Sequence, residues 1–291
     1  MTRWLARRWI ALIVATLHWP IARRARFADG VAALMWLAVA RRRRIALANL
    51  RACFPEWSPA KQRAVGQALF RHIGRAALDH SVLYRGSRDD VQRLVRVEGI
   101  ERLTPQPGRG LILLAPHFVG LDAGGLRVST EIRPVTIYAR QSNPVWDDWL
   151  REIRARFNEP VLVRRGGGEL RQALRAMRDG LPFYYLPDMD HGRANSLFAP
   201  FFGIQAATIP MLSRLARIAD AQVVLAVTEM TDDGYVLHLE GPWADFPGPS
   251  VEADTARMNR EIERWVRRMP DQYLWTHRRF KTRPDGEAPF Y

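Results

Sequence analysis

Residues 111–125, LILLAPHFVGLDAGG, pass from five apolar residues through a proline into a run of small ones. A short apolar run stopped by Pro116 predicts a buried strand, and GLDAGG predicts the start of the next helix. Between them stand His117 and, five positions on, Asp122. Five positions turn about 140° around an ideal helix, so the two do not share a helical face. They converge only with His117 on the loop and Asp122 in the first helical turn, which is what the breakers imply. Two readings are open: a catalytic base with its carboxylate at a strand end, or a structural histidine beside a capping aspartate.

Other short strand-like runs recur through the chain: PVTIYA (134–139), PVLV (160–163), PFYYL (182–186), VVLAV (223–227) and YVLHL (235–239). Helical spacing is expected near 144–157, 168–179, 208–219 and 251–269. From Ser58, an N-cap serine, Pro59 and apolar residues at Val65, Leu69 and Ile73 predict a long amphipathic helix. This alternation argues for an α/β fold with a mixed, mainly parallel central sheet flanked by helices. In such sheets ligands sit beyond the carboxyl ends of the strands, where His117 falls.

The 291 residues, 47% of them hydrophobic, can bury a full core, and the formal charge is +14. Its distribution is uneven. Residues 1–50 hold ten arginines against one acid, Asp29, a local charge of +9 that leaves +5 for the other 241 residues. A basic end of this kind points to a polyanion. The arginines alternate with aliphatic runs and no nucleic-acid-binding motif accompanies them, so an anionic membrane surface is the expected partner rather than nucleic acid. Cys53 is the single cysteine, which excludes an intrachain disulfide and a cysteine-based zinc cluster.

WIALIVATLHWPIA (9–22) and VAALMWLAVA (31–40) are apolar but shorter than the roughly 20 residues that span a bilayer comfortably. Arginines flank the first run, Trp4, Trp9 and Trp19 stand where interfacial aromatics would, and Arg41–Arg44 follow the second. Residues 1–44 are therefore expected to be a retained, membrane-anchoring helical segment on the cytoplasmic side, and 45–291 the catalytic domain. A buried helical hairpin with a solvated arginine face is the alternative.

In VRRGGGELRQALRAMRDG, Arg164 and Arg165 precede a glycine run and an amphipathic helix. Gly-rich backbone at a helix N-terminus beside two guanidiniums suits an anion, although a plain solvated turn would look the same. Asp188 and Asp190 follow the strand-like PFYYLP; with no further ligands at metal spacing, no metal site is expected there.

The chain resembles the lipid A biosynthesis acyltransferases, the lauroyl/myristoyl transferases that share an H-x4-D/E signature with the glycerolipid acyltransferases. The matching segments are NLRACFPEWS (49–58), APHFVGLDAGG (115–125), YARQSNPVWDDWL (138–150), YLPDMDHGRANSLFAPFFGIQAAT (185–208) and DQYLWTHRRFKTRPDG (271–286). The resemblance implies a glycerolipid-acyltransferase-like fold. It also implies transfer of a fatty acyl group from acyl carrier protein, without another cofactor, to a hydroxyl of a lipid A precursor, at the cytoplasmic face of the bacterial inner membrane. It makes His117 the general base and Asp122 its orienting partner. In this setting Arg140 becomes the candidate for stabilising the oxyanion or binding acceptor phosphate. Asp188 and Asp190 are then expected to hold Arg140 or Arg164 by ion pairing, and Phe198, Phe201 and Phe202 either line the acyl pocket or belong to the core. No G-x-S-x-G elbow occurs, which favours direct transfer over an acyl-enzyme. His191 stands where many relatives have tyrosine, leaving open the acyl chain and acceptor. Acylation of another glycolipid or a lysophospholipid, or a lipid-binding homologue without chemistry, are the alternatives.

Overall fold

In a computed structural model, which describes residues 2–291, four helices lead the chain: α1 (Arg3–Ala15), α2 (Ile21–Ala38), α3 (Ala40–Cys53) and α4 (Pro59–Arg85). Then follow α5 (Arg88–Leu94), β1 (Val95–Glu98), β2 (Gly110–Leu114), α6 (Leu121–Glu131), β3 (Val135–Tyr138), α7 (Pro144–Arg154), β4 (Val161–Arg164) and α8 (Glu169–Arg178). The last third holds β5 (Phe183–Tyr185), β6 (Leu197–Phe201), β7 (Ile204–Thr208), α9 (Met211–Ile218), β8 (Ala221–Thr231), β9 (Gly234–Glu240) and α10 (Val251–Arg268).

Seven strands form one sheet in the order β1-β9-β8-β2-β5-β3-β4, and β6 and β7 form a separate antiparallel hairpin. Every pair in the large sheet is parallel except β8 with β9. The LILLA strand lies at its centre. Leu111 and Leu113 enter the core on one face and Ile112 and Leu114 the core on the other, all at most 1% exposed. Both faces of a central parallel strand are covered, so its residues are apolar without alternation.

Each strand expected from the sequence is present within a few residues, and α4 opens as its sequence predicts, with Ser58 Oγ accepting from Lys61 N at 3.2 Å. The N-terminal helices are not loose. α1 and α2 pack along α4, and buried Arg24 of α2 places its Nε 3.0 Å from Asp79 of α4, which also accepts from Tyr235 Oη at 2.9 Å. Residue 44, the expected domain boundary, falls inside α3.

Among the described residues no helix is long and apolar enough to cross a membrane. The outer faces of α1 and α2 are nonetheless unusual. Of the ten large hydrophobic side chains left exposed among the described residues, eight lie between Trp4 and Val39, with Leu34 and Leu37 at 65% and 71% exposure. Arg8 and Arg23 lie over the rings of Trp4 and Trp19.

Candidate active site

The ends of β2 and β5 build the site. These strands are parallel neighbours with Leu114 opposite Tyr185, and Ala115 N donates to Tyr185 O at 2.8 Å. His117 and Asp188 each lie three residues beyond that paired position, so the two chains deliver them to the same place. His117 Nδ1 is 2.7 Å from Asp188 Oδ1, and the His117 backbone N–H donates to the same carboxylate at 3.0 Å. Tyr273 Oη donates to Asp188 Oδ2 at 2.8 Å. Burial alone would raise the Asp188 carboxyl, but the His117 ring beside it and these hydrogen bonds hold it well below the usual carboxylate range. His117 Nε2 has no hydrogen-bond partner among the described residues.

The C-terminal segment locks this loop. Val119 N donates to Gln272 O and Leu274 N to His117 O, both at 2.9 Å, so residues 272–274 run antiparallel beside 117–119. Asn49 Nδ2 donates to the carbonyls of Trp275 and His277 at 2.8 Å and fixes the next turn. The His277 ring therefore stands edge-on to His117, with centroids 5.2 Å apart. Burial first, and then the charge of His117, pushes His277 down to about 4, so it is neutral at physiological pH.

The structure corrects the expected partner of His117. Asp122, in the first turn of α6, receives Arg154 of α7 at 2.8 Å and lies 3.5 Å from His80 Nε2 of α4. Desolvation would raise its carboxyl; the Arg154 charge and then His80 hold it far below the usual range. The reason is geometric: α6 directs its first turn towards α4 and α7, whereas β5 brings a carboxylate up beside the β2 loop in register.

Asp188 and Asp190 do not hold Arg140 or Arg164 either. Asp188 serves His117, while Asp190 accepts from Thr282 N and Oγ1 at 2.6 and 2.9 Å and from Gly192 N at 2.9 Å. Arg140 is exposed and 3.8 Å from Asp147. Arg164 is exposed; Arg165 lies against the His191 ring, with nitrogens 3.0 and 3.2 Å apart. Burial and then Arg165 push His191 down to about 4. At the glycine run φ is +150°, +114° and +78° for Gly166, Gly167 and Gly168, values that exclude most side chains. Gly167 N already donates to Glu169 Oε2 at 2.8 Å, so a side chain of the protein occupies part of the expected anion cradle.

His117, Asp122, Arg154, Arg165, His191 and His277 all line one cavity of about 410 Å³. It extends from the strand ends beneath α6, past Leu121, Leu126, Ile137 and Leu162, to Pro134 and Pro160 at the opposite ends of β3 and β4. Its length is apolar and its mouth polar. Phe198, Phe201 and Phe202 lie outside it, Phe201 packing on Phe202, Tyr273 and Phe280. Cys53 is buried, and burial raises its thiol far above the usual range, so it offers no thiolate. Among the described residues no cluster of side chains could hold a metal ion.

A histidine–carboxylate pair thus stands beside a long, largely apolar cavity. Sequence comparison identifies the relatives of the chain. A family model described as bacterial lipid A biosynthesis acyltransferase matches residues 1–282. The chain belongs to that family. It is 31% identical to the lipid A biosynthesis lauroyltransferase of Escherichia coli K12 over 285 residues, covering 96% of this chain and 91% of the relative. It is 33% identical to the palmitoleoyltransferase of the same strain over 258 residues (86% and 82%), and 30% to its myristoyltransferase over 254 (86% and 78%). As a member of the lipid A biosynthesis acyltransferases the chain is an enzyme that transfers acyl groups.

Sequence reasoning missed His80, Arg154, Tyr273 and His277 as parts of the site. Tyr273 and His277 belong to DQYLWTHRRF, a segment already notable for its resemblance to the family; His80 and Arg154 carry no local signal.

Proposed function

We propose that this enzyme moves a fatty acyl group from the thioester of acyl carrier protein to a hydroxyl of a lipid A precursor, with His117 as general base. The observation that carries the mechanism is the His117–Asp188 pair: Nδ1 tied to a buried carboxylate, Nε2 unpaired, at the mouth of an apolar cavity. The acyl chain lies in the cavity with its carbonyl at the mouth. Nε2 takes the acceptor hydroxyl's proton as the oxygen attacks the thioester carbon, and the tetrahedral intermediate then expels thiolate, which recovers the proton from the imidazolium. Asp188 keeps Nδ1–H in place and stabilises the charged ring, the arrangement of a triad whose nucleophile comes from the substrate. General-base help of this kind is worth about 10²–10⁴ in rate. No side chain is acylated; buried Cys53 supports that reading.

The enzyme works at the cytoplasmic face of the inner membrane, with α1 and α2 lying in the interface. The eight exposed hydrophobic side chains on these helices and in the turn that follows, bordered by arginines, support this placement. The test is mass spectrometry of lipid A from cells with and without the protein. Loss of one secondary acyl chain, restored by wild-type protein but not by His117→Ala, is the expected result. Unchanged lipid A would overturn the acceptor.

A further inference from the structure

Beyond residue 50 the chain carries a charge of only +5, yet residues 164–179 hold five arginines against two acids. One of the acids, Glu169, is turned back onto Gly167 N. All five arginines are exposed, and none forms an ion pair among the described residues. α8 buries Ala173, Ala176 and Met177 against the sheet, which leaves Arg171, Arg175 and Arg178 along its outer side. Spaced i, i+4 and i+7, they form one stripe about 10 Å long. The stripe starts beside Arg164 and Arg165 at the end of β4, and Arg165 itself lines the cavity.

We propose that this arginine face docks an acidic surface of the protein that carries the acyl group, placing its thioester at the cavity mouth. The inference rests on the carrier-protein reading of the donor. A protein surface fits better than a membrane because no large apolar side chain is exposed between residues 101 and 217, whereas the exposed apolar side chains cluster on α1 and α2. Exposed arginines outside any ion pair, with no large apolar side chain exposed on their helix, attract a charged partner in water and speed its arrival without inserting into lipid.

The test uses the full chain and two donors bearing the acyl chain it transfers fastest: acyl carrier protein and the corresponding acyl-pantetheine. R171E/R175E/R178E should raise KM for the carrier protein at least 10-fold at about 50 mM salt, with the gap narrowing at about 500 mM as the charges are screened. It should change kcat/KM for acyl-pantetheine by less than twofold, which also shows that the variant is folded. The control R63E/R133E/R260E alters exposed arginines elsewhere by the same charge and should leave KM for the carrier protein near wild type. An unchanged KM in the α8 variant overturns the docking face, as does an equal rise in the control. An unchanged KM with weaker binding to phosphatidylglycerol vesicles would assign the stripe to the membrane and overturn it too. A wild-type enzyme that uses both donors equally would instead refute the carrier-protein reading itself.

Discussion

His117 and Asp188 are 71 residues apart in sequence and 2.7 Å apart in space, joined by ring nitrogen and carboxylate. Asp188 accepts three donors, the His117 ring, the His117 backbone and Tyr273 Oη, so its position is fixed independently of substrate. Asp188→Asn cannot hold the same tautomer and should lower turnover by roughly 10²–10⁴. If the two residues act as a unit, H117A/D188N should be about as slow as His117→Ala alone. Steady-state kinetics on the four proteins measure this; strictly multiplicative losses would show that the residues act separately.

Asp122 should behave differently. Its carboxylate serves Arg154 and His80, and with about a third of both side chains in the Asp122–Arg154 pair exposed, losing the charge-assisted bonds should cost about 1–2 kcal/mol of stability. Asp122→Asn and Arg154→Met should couple in urea unfolding, the double variant losing less than the two singles together. In turnover, Asp122→Asn and His117→Ala should multiply. A double variant no slower than His117→Ala would restore Asp122 as the partner of the base.

The glycines of GLDAGG set the distance between α6 and the sheet. A Cβ on Gly120 would stand 2.8 Å from the Thr228 carbonyl oxygen and 3.0 Å from Thr228 Cβ in β8, contacts that backbone atoms cannot relieve by rotation. Gly120→Ala should therefore cost about 1–3 kcal/mol through overpacking. Gly125→Ala meets only the Tyr184 ring at 3.4 Å, ordinary contact, and should be nearly neutral. Thermal unfolding of both variants decides the point; equal melting temperatures would contradict it.

The elements were legible because each is bounded by local chemistry: Pro116 after LILLA, Ser58 and Pro59 before α4, glycines before α8. The hairpin of β6 and β7 was not, since Pro200 interrupts its first strand, and β1 is only four residues long. The site was half legible. His117 stands out beside its strand, but its partner depends on β2 and β5 being neighbours in register, a non-local fact that spacing within one motif cannot supply. Asp122 looked like the partner because it is close in sequence. Arg154 and His80, which claim it instead, lie 32 and 42 positions away on other helices.

His277 makes the stability of the enzyme depend on pH in a definite direction. Folded, its ring takes up a proton only near pH 4, because burial and the neighbouring His117 disfavour the charge. Unfolded, a histidine titrates near 6.5. Between those values the unfolded chain binds more protons, so stability falls as pH drops from about 6.5 to 4 and is fully present above that window. The contribution of this one ring is on the order of 3 kcal/mol. Other acids and histidines titrate too, so the comparison is between wild type and His277→Gln, which keeps a polar side chain of similar size without the titration. Urea midpoints at pH 7, 6, 5 and 4.5 should fall for both proteins, with the wild type losing about 2–3 kcal/mol more across the series. Parallel curves would mean that the ring protonates in the folded enzyme as readily as in the unfolded chain, and that the space beside His117 accepts a positive charge.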